Sequence, residues 1–351
     1  MAVTIRTRRV QATAASSLLL LLICSLLAAT TQAFLAVAPT TSFVMRSHGA
    51  LVGEAGRRVK GRMKSSSVVT SGRMTREEVK MMAAAKPLSG RSLYILNGAD
   101  KICYDAFYGT RKPAVMYLPC LFYPKNNAKA TNLENWCKRN SHTFVCADYY
   151  GVARSSGDFA AGTVSRWTED TIFLIERLIT KTPVILVGSG VGGWISLLVA
   201  SKRPDLVAGL VTMAADPDFT EDLLWKNLAP ETKQLIMDKG VHEITWGVTQ
   251  YPISRSLIED GRNNFVLRNP SGGLGVTCPV RIIHSLMDEE VPFQTALKLA
   301  DCVQTKDVKV ILSKEGSHFL DEEEDFYTMR EALVDVVDHY FEYDLTTTAS
   351  G

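Results

Sequence analysis

The stretch Pro183-Val-Ile-Leu-Val-Gly-Ser-Gly-Val-Gly-Gly-Trp194 joins an apolar run, a glycine-rich hinge and a helical pattern. Apolar β-formers followed directly by glycines predict a strand that turns sharply into a helix. In the pattern Gly-x-Ser-x-Gly, the outer glycines let such a turn pass close to neighbouring elements, and the central residue lies at its tip in a strained conformation. Here Gly188 and Gly192 are the outer glycines, so the tip is Gly190. The stretch therefore predicts a nucleophile elbow whose nucleophile position is vacant.

Glycine at position 190 keeps the predicted turn but removes the hydroxyl. Glycine adopts a positive φ without the ~1–2 kcal/mol penalty of an L-residue. Ser189 offers a nearby hydroxyl, but a shift of one residue along a strand or tight turn reverses the side-chain direction. We expect Ser189 to make local hydrogen bonds, with catalytic use of its hydroxyl as the alternative. A misread codon at 190 is a further alternative, because serine and glycine codons can differ by one nucleotide.

β-Rich runs alternate with helical patterns from residue 92 onward. This alternation predicts an α/β domain with a mostly parallel, eight-stranded sheet flanked by helices on both faces. The first two strands have no helix between them, which predicts a hairpin at the sheet edge. The predicted strands are 92–96, 102–108, 114–118, 143–147, 184–187, 206–213, 280–284 and 308–312, and the predicted helices are 130–139, 165–180, 192–202, 293–302 and 322–343.

About 60 residues separate the sixth predicted strand from the seventh, and they do not continue the alternation. A structureless loop of that length is uncommon in a compact domain. The segment also carries apolar and aromatic residues, including Trp225, Trp246 and Tyr251. We therefore predict that residues 216–275 form a helical cap over the active-site end of the sheet, inserted after the sixth strand.

An acid and a base follow the elbow in the order that a Ser–Asp–His triad requires in this class of fold. Asp288 stands in a short acidic loop after the strand at 280–284, and His318 precedes the last helix. We predict that Asp288 is the catalytic acid and His318 the general base. The alternatives are that the acidic loop only caps a helix and that the loop histidine is incidental.

Two backbone amides are the predicted oxyanion donors, because they need no particular side chain. They belong to Val191, after the elbow tip, and to Leu121 in the loop after the third strand. Cys120 faces the same crevice, either as a small packing residue or as a substitute thiol nucleophile beside His318. Asp148, after the fourth strand, is interpreted as structural.

Charge and cysteine usage exclude several function classes. Residues 1–91 contain 14 Lys and Arg against 3 Asp and Glu, which leaves 25 against 34, a net charge of −9, for residues 92–351. An acidic folded part argues against nucleic-acid binding, because phosphates require clustered positive charge. The seven cysteines show no CxxC pair and no metal-ligand spacing, so we expect buried free thiols and no metal site built from cysteines.

The first 86 residues have the composition of a targeting leader. Arginines, a short apolar run and small residues predict a signal peptide at 1–33, and the run is too short for a permanent membrane anchor. A basic, hydroxyl-rich segment at 34–86 then resembles a transit peptide and is predicted to be disordered. The pair resembles the bipartite presequence of complex plastids in secondary-endosymbiotic algae, with secretion or the endomembrane lumen as the alternative. The folded domain is predicted at 87–345, with a disordered tail at 346–351.

The elbow stretch, Asp148-Tyr-Tyr-Gly151, Ile283-His-Ser-Leu-Met-Asp288 and His318 resemble the mitochondrial palmitoyl-protein thioesterase and acyl-glucuronide esterase group of α/β-hydrolase-domain proteins. The resemblance spans about 92–345 and implies hydrolysis of acyl thioesters or esters by a Ser–Asp–His triad without metal or cofactor. The serine of that triad falls on Gly190. Further departures are Cys120, Ser285 and Ala153, each of which stands where the family pattern has glycine.

The resemblance and the vacant position leave two functions open. In the first, the chain is a thioesterase-like hydrolase, impaired or unconventional, that acts on a small acyl ester or thioester or on an acylated protein. In the second, it is a non-catalytic pseudoenzyme that binds an acyl ligand or a partner. Whether the chain is an enzyme is therefore undecided at the level of sequence.

Overall fold

The chain is described by a computed structural model over residues 92–246 and 249–349. The predicted signal peptide and the segment 34–86 lie outside the described residues. The strands are β1 (Leu93–Asn97), β2 (Asp100–Phe107), β3 (Arg111–Leu118), β4 (His142–Ala147), β5 (Val184–Ser189), β6 (Val207–Met213), β7 (Val241–Trp246), β8 (Thr249–Ser254), β9 (Val280–Ser285) and β10 (Val308–Ser313). The helices are α1 (Ala128–Asn140), α2 (Val164–Leu178), α3 (Val191–Lys202), α4 (Pro230–Lys239), α5 (Arg255–Arg262), α6 (Gln294–Cys302) and α7 (Glu323–Ala349).

Eight of the strands form one sheet in the order β1-β2-β4-β3-β5-β6-β9-β10. β1 and β2 form the antiparallel hairpin at one edge, β2 pairs antiparallel with β4, and the remaining pairs are parallel. The predicted eight-stranded, mostly parallel sheet flanked by helices is confirmed. β5 is buried along its whole length, as expected for a central parallel strand covered on both faces.

The direction of the parallel strands decides where the functional residues meet. Loops that leave the carboxyl ends of β3, β5, β6, β9 and β10 emerge at the same edge of the sheet, where α/β proteins bind ligands. In chain order these loops carry Cys120, Gly190, Asp216, Asp288 and His318. Residues nearly 200 positions apart in sequence are thereby brought to one site.

The insert between β6 and β9 contains the helices α4 and α5 and, between them, an antiparallel hairpin of β7 and β8 that the sequence pattern did not predict. An aromatic stack fixes the hairpin. Phe219 stacks on Trp246 with ring centroids 5.0 Å apart and meets Trp194 of α3 edge to face at 5.8 Å. Aromatic residues in the segment predicted to be a helical cap therefore belong partly to a small antiparallel sheet.

The last helix, α7, packs against β6 and β9. Arg281 on β9 is 2% exposed and forms ion pairs with Asp335 of α7 and with Asp307, whose Oδ1 lies 2.8 Å from the guanidinium Nη1. α7 continues to Ala349, into the segment predicted as a tail, because no glycine or proline interrupts the chain there. Among the described residues, no helix combines the length and apolarity needed to cross a membrane.

Candidate active site

The elbow forms as the glycine pattern predicts. β5 ends at Ser189, α3 begins at Val191, and Gly190 between them has φ 52° and ψ −122°. The Gly190 amide donates to the Met213 carbonyl on β6 at 3.1 Å, which fixes the tip against the neighbouring strand. A left-handed φ of this kind is costly for an L-residue and free for glycine.

Close approach of backbones explains the glycine at 192. A Cβ on Gly192 would lie 2.1 Å from the Leu118 carbonyl oxygen at the end of β3. A Cβ on Gly188 would lie 2.3 Å from the Gly192 carbonyl oxygen. These separations are far below van der Waals contact, so α3 could not start this close to β3 and β5 with larger residues at either position.

His318 and Asp288 lie together beside the elbow. His318 Nδ1 and Asp288 Oδ2 are 2.9 Å apart, and both side chains are buried. Burial opposes the charged imidazolium, but the hydrogen bond to Asp288 and a second one to Cys120 outweigh it and raise the pKa of His318 well above its usual value. Nδ1 is engaged by Asp288, so Nε2 is the nitrogen left to exchange a proton with a reactant.

Asp288 is held by more donors than the sequence pattern suggested. Besides His318, His284 Nε2 lies 3.2 Å from Asp288 Oδ2, and the Glu290 and Val291 amides both donate to Oδ1 at 2.9 Å. Burial alone would raise the pKa of Asp288, but the hydrogen bonds from His284 and His318 hold it well below its usual range. The carboxylate therefore stays ionised and orients the imidazole.

Cys120 fills the space in front of Gly190. A Cβ built on Gly190 would lie 2.5 Å from Cys120 Sγ and 3.5 Å from Cys120 Cβ. Cys120 is half-buried in the loop that follows β3, and its thiol hydrogen-bonds with His318. The sequence left packing and nucleophilic roles open for this cysteine, and the structure places its sulfur where the side chain of an elbow residue would begin.

Asp216 is a site residue that the sequence interpretation missed. It follows β6, is 1% exposed, and its Oδ2 would lie 3.4 Å from a Cβ on Gly190. Apart from its own backbone amide, neither carboxyl oxygen has a hydrogen-bond partner among the described residues. Burial raises the pKa of Asp216 to about 7, although His318 lowers it. The sequence did contain a signal for this site residue, because Asp216 is an acidic residue that follows a buried parallel strand, and that strand neighbours the elbow strand.

Ser189 points to a different neighbour. Its side chain is buried and hydrogen-bonds with Tyr117, a fully buried tyrosine on β3 whose pKa burial raises above the usual range. The structure does not pair Ser189 with His318. The Ser189 hydroxyl therefore bonds to a side chain of the neighbouring strand β3.

The two amides predicted as oxyanion donors have no acceptor in the described part of the chain. Neither Leu121 N nor Val191 N donates to a backbone carbonyl or to a side chain there. Val191 N belongs to the first turn of α3, where amides have no partner within the helix and the helix dipole favours negative charge. Neither amide is therefore occupied within the described residues, and their use as oxyanion donors stays a prediction.

An open cleft of about 150 Å³ borders these groups. Cys120, Gly190 and His318 line it together with Tyr123 and Lys129. Lys129 is nearly buried, donates to the Phe319 carbonyl and faces Cys120, and burial lowers its pKa. This volume lies below the ~300–1,000 Å³ of pockets that enclose a drug-sized ligand, so the cleft suits the reacting end of a longer chain.

The other singled-out residues are structural. Asp148 accepts the Lys125 amide at 2.8 Å, and Ser285 donates to the Gly316 carbonyl at 2.8 Å, which joins the loop after β9 to the loop of His318. Ala153 has φ 48°, a conformation that suits the glycine of the resembled family.

Over residues 92–246 and 249–349, no group of His, Cys, Asp and Glu could hold a metal ion, and the six cysteines there are free.

Comparison with known proteins agrees with this architecture. Residues 113–235 match the family described as α/β hydrolase fold. The mitochondrial palmitoyl-protein thioesterase ABHD10 of Mus musculus is 33% identical over 254 residues, which cover 70% of this chain and 83% of that protein. The Homo sapiens protein of the same name is 31% identical, with 70% and 80% covered.

Two solved structures have the same fold. Mouse α/β hydrolase domain-containing protein 10 superposes with a TM-score of 0.64 at 30% identity, covering 71% of this chain and 99% of that one. A putative hydrolase from Agrobacterium vitis S4 gives a TM-score of 0.65 at 28% identity, with 70% and 97% covered.

Proposed function

Because this chain belongs to the α/β-hydrolase family, in the group of the ABHD10 palmitoyl-protein thioesterases, we propose that it hydrolyses acyl thioesters or esters without a serine at the elbow. The proposed substrates are small acyl thioesters or esters and S-acylated proteins. Relatives of this group carry palmitoyl-protein thioesterase in their names, which supports the substrate class.

The observation that carries the proposal is the buried pair of His318 and Asp288, 2.9 Å apart beside an elbow of intact geometry. A histidine oriented by a carboxylate is a general base and acid for acyl transfer. Leu121 N and Val191 N supply donors for the oxyanion. Only the hydroxyl at position 190 is absent from the set of groups that such a hydrolase uses.

A second function has its own supporting observation. Gly190 carries no nucleophile, and an apolar cleft binds an acyl chain through buried area without any need for one. In this alternative the chain is a pseudoenzyme that retains a ligand or a partner and releases no product.

Hydrolysis of palmitoyl-coenzyme A, followed as released palmitate by mass spectrometry, distinguishes the two functions. We expect the natural chain to release palmitate, and His318→Asn to slow the release by ~10²–10⁴-fold, the range that general acid–base catalysis supplies. The matched control is His339→Asn, because His339 is a half-exposed histidine on α7 that pairs with Asp307. This control should leave the rate unchanged.

Equal rates in the natural chain and in His318→Asn, or no palmitate at all, would contradict the hydrolase proposal. In that case a rise in melting temperature with a non-hydrolysable palmitoyl thioether would support binding without turnover, since a ligand that binds only the folded state stabilises it.

A further inference from the structure

We infer that Cys120 is the nucleophile of this site, in a Cys120–His318–Asp288 arrangement that replaces the serine-based one. The inference rests on the proposed function and names the group that performs its first step. Geometry, charge and chemistry support it separately.

The geometric argument concerns the space shared by positions 120 and 190. A side chain at 190 would begin 2.5 Å from Cys120 Sγ, so the thiol would have to turn away from this space if a serine stood at 190. Glycine at 190 makes room for the sulfur, which therefore lies beside the tip of the elbow. Cys120 and Gly190, the two departures from the family pattern, therefore belong together: the nucleophile has moved from the elbow to the neighbouring loop after β3.

The charge argument concerns what surrounds the sulfur. The Cys120 thiol hydrogen-bonds with His318, whose other nitrogen is bound by Asp288, and it also faces the ammonium group of Lys129. A histidine within hydrogen-bond distance of a thiol can take its proton as the sulfur attacks, which is how an adjacent base activates a cysteine nucleophile. Cys120 is also half-buried at the cleft, so a substrate can reach it.

The competing groups are less well placed for attack. Ser189 hydrogen-bonds with Tyr117, and within the described residues no hydrogen bond joins it to His318. Asp216 lies close to the elbow, but burial raises its pKa to about 7, so its carboxyl is partly protonated at neutral pH, and a protonated carboxyl is a poor nucleophile. Asp216 and His318 could instead position a water molecule, which is the route that the experiment must separate from attack by Cys120.

The chemistry balances without a further reactant. His318 accepts the proton of Cys120, and the sulfur forms a bond to the acyl carbon while the Leu121 and Val191 amides hold the oxyanion. The bond from the acyl carbon to the leaving sulfur or oxygen then breaks, and His318 protonates that leaving group. Water, with His318 as base, attacks the acyl thioester of Cys120, which releases the carboxylic acid and restores the thiol.

The test compares Cys120→Ala with Cys278→Ala, since both cysteines are half-buried and free. With palmitoyl-coenzyme A, we expect Cys120→Ala to lose hydrolysis by ~10³-fold or more, as removal of a nucleophile does, and Cys278→Ala to keep it. Peptide mapping after an acid quench should find palmitate on Cys120. Limiting iodoacetamide should alkylate Cys120 before Cys278 and abolish turnover, with melting curves of both variants to verify folding.

Each other result has a defined meaning. If Cys120→Ala hydrolyses normally while His318→Asn does not, the nucleophile assignment is wrong and the hydrolase proposal stands, with water as the attacking group. If the natural chain acquires palmitate on Cys120 but releases none, the nucleophile stands and the hydrolase proposal is wrong. Absence of both adduct and product contradicts both.

A second experiment tests the exchange of space directly. The variant that combines Gly190→Ser with Cys120→Gly has room for the new hydroxyl, whereas Gly190→Ser alone forces its Cβ against the sulfur. A fluorophosphonate, which reacts with activated serines, should label position 190 several-fold faster in the double variant than in the single one. Equal labelling of the two would show that the thiol does not occupy the space of a side chain at 190 and would contradict the placement of Cys120 on which the inference rests.

Discussion

The Asp216 carboxyl is buried beside Gly190 and has no partner among the described residues beyond its own amide. Burial raises its pKa to about 7, with His318 lowering it and Asp288 and Glu290 raising it. The folded protein therefore binds this proton more tightly than the unfolded chain, whose aspartates titrate near ~3.9. Between those two pKa values stability falls as the pH rises, and above about 7 the loss is complete.

Asp216→Asn should remove this pH dependence, since an amide cannot ionise. The melting temperature of the variant should rise relative to that of the natural chain as the pH increases from 5 to 8.5. The corresponding difference in the free energy of unfolding approaches roughly 4 kcal/mol, because each pKa unit corresponds to ~1.4 kcal/mol. Differential scanning calorimetry across this range measures it. Asp338→Asn, on the exposed face of α7, is the control, and parallel curves for both variants would refute the burial argument.

How far the sequence predicts the site can be judged residue by residue. The order of Gly190, Asp288 and His318 places them at one edge of a parallel sheet before any distance is known. The distance from Cys120 Sγ to the elbow depends on how the loop after β3 packs, and periodicity carries no information on that. Asp216 was missed because it was assigned to the start of the insert, although its strand neighbours the elbow strand.

At the scale of elements, the main sheet and its helices were predictable because parallel strands are nearly continuous apolar runs and the helices between them are amphipathic. The hairpin of β7 and β8 was not. Its strands are six residues each, β8 contains Pro252, and its aromatic residues also fit a helical cap. The contact of Trp246 with Phe219, which lies 27 positions earlier and packs on Trp194 of α3, stabilises the hairpin conformation instead.

Phe219→Ala should therefore loosen the hairpin and cost stability. The side chain is fully buried between Trp194 and Trp246, and replacing a buried phenylalanine with alanine costs ~3–5 kcal/mol. Urea denaturation measures the loss, and limited proteolysis should cut within 241–254 before the rest of the chain. Tyr327→Ala, an exposed aromatic on α7, should do neither. An uncut hairpin in Phe219→Ala would mean that other contacts hold it.

At the scale of the whole molecule, Arg281 joins the sheet to the last helix through Asp335 and Asp307. Arg281→Ala removes a buried partner from two carboxylates that remain partly exposed and can be hydrated. We therefore expect a loss of about 2–3 kcal/mol in the free energy of unfolding, below the ~3–5 kcal/mol that follows when a buried charge is left without its partner.

The matched control is Arg255→Ala, because Arg255 forms an exposed pair with Glu259 within α5. Exposed pairs of this kind contribute ~0–1 kcal/mol. Urea denaturation of both variants at one salt concentration provides the comparison. Equal losses would mean that α7 is held by its apolar contacts and not by the arginine.

The 2.5 Å separation between the sulfur at 120 and a side chain at 190 also constrains evolution. A chain that gained serine while keeping cysteine would be crowded, and one that had glycine at both positions would have no reacting group, so neither single step between the two states is easy. Across homologous sequences the two positions should therefore covary, with a small residue at 120 accompanying serine at 190 and glycine at 190 accompanying cysteine at 120.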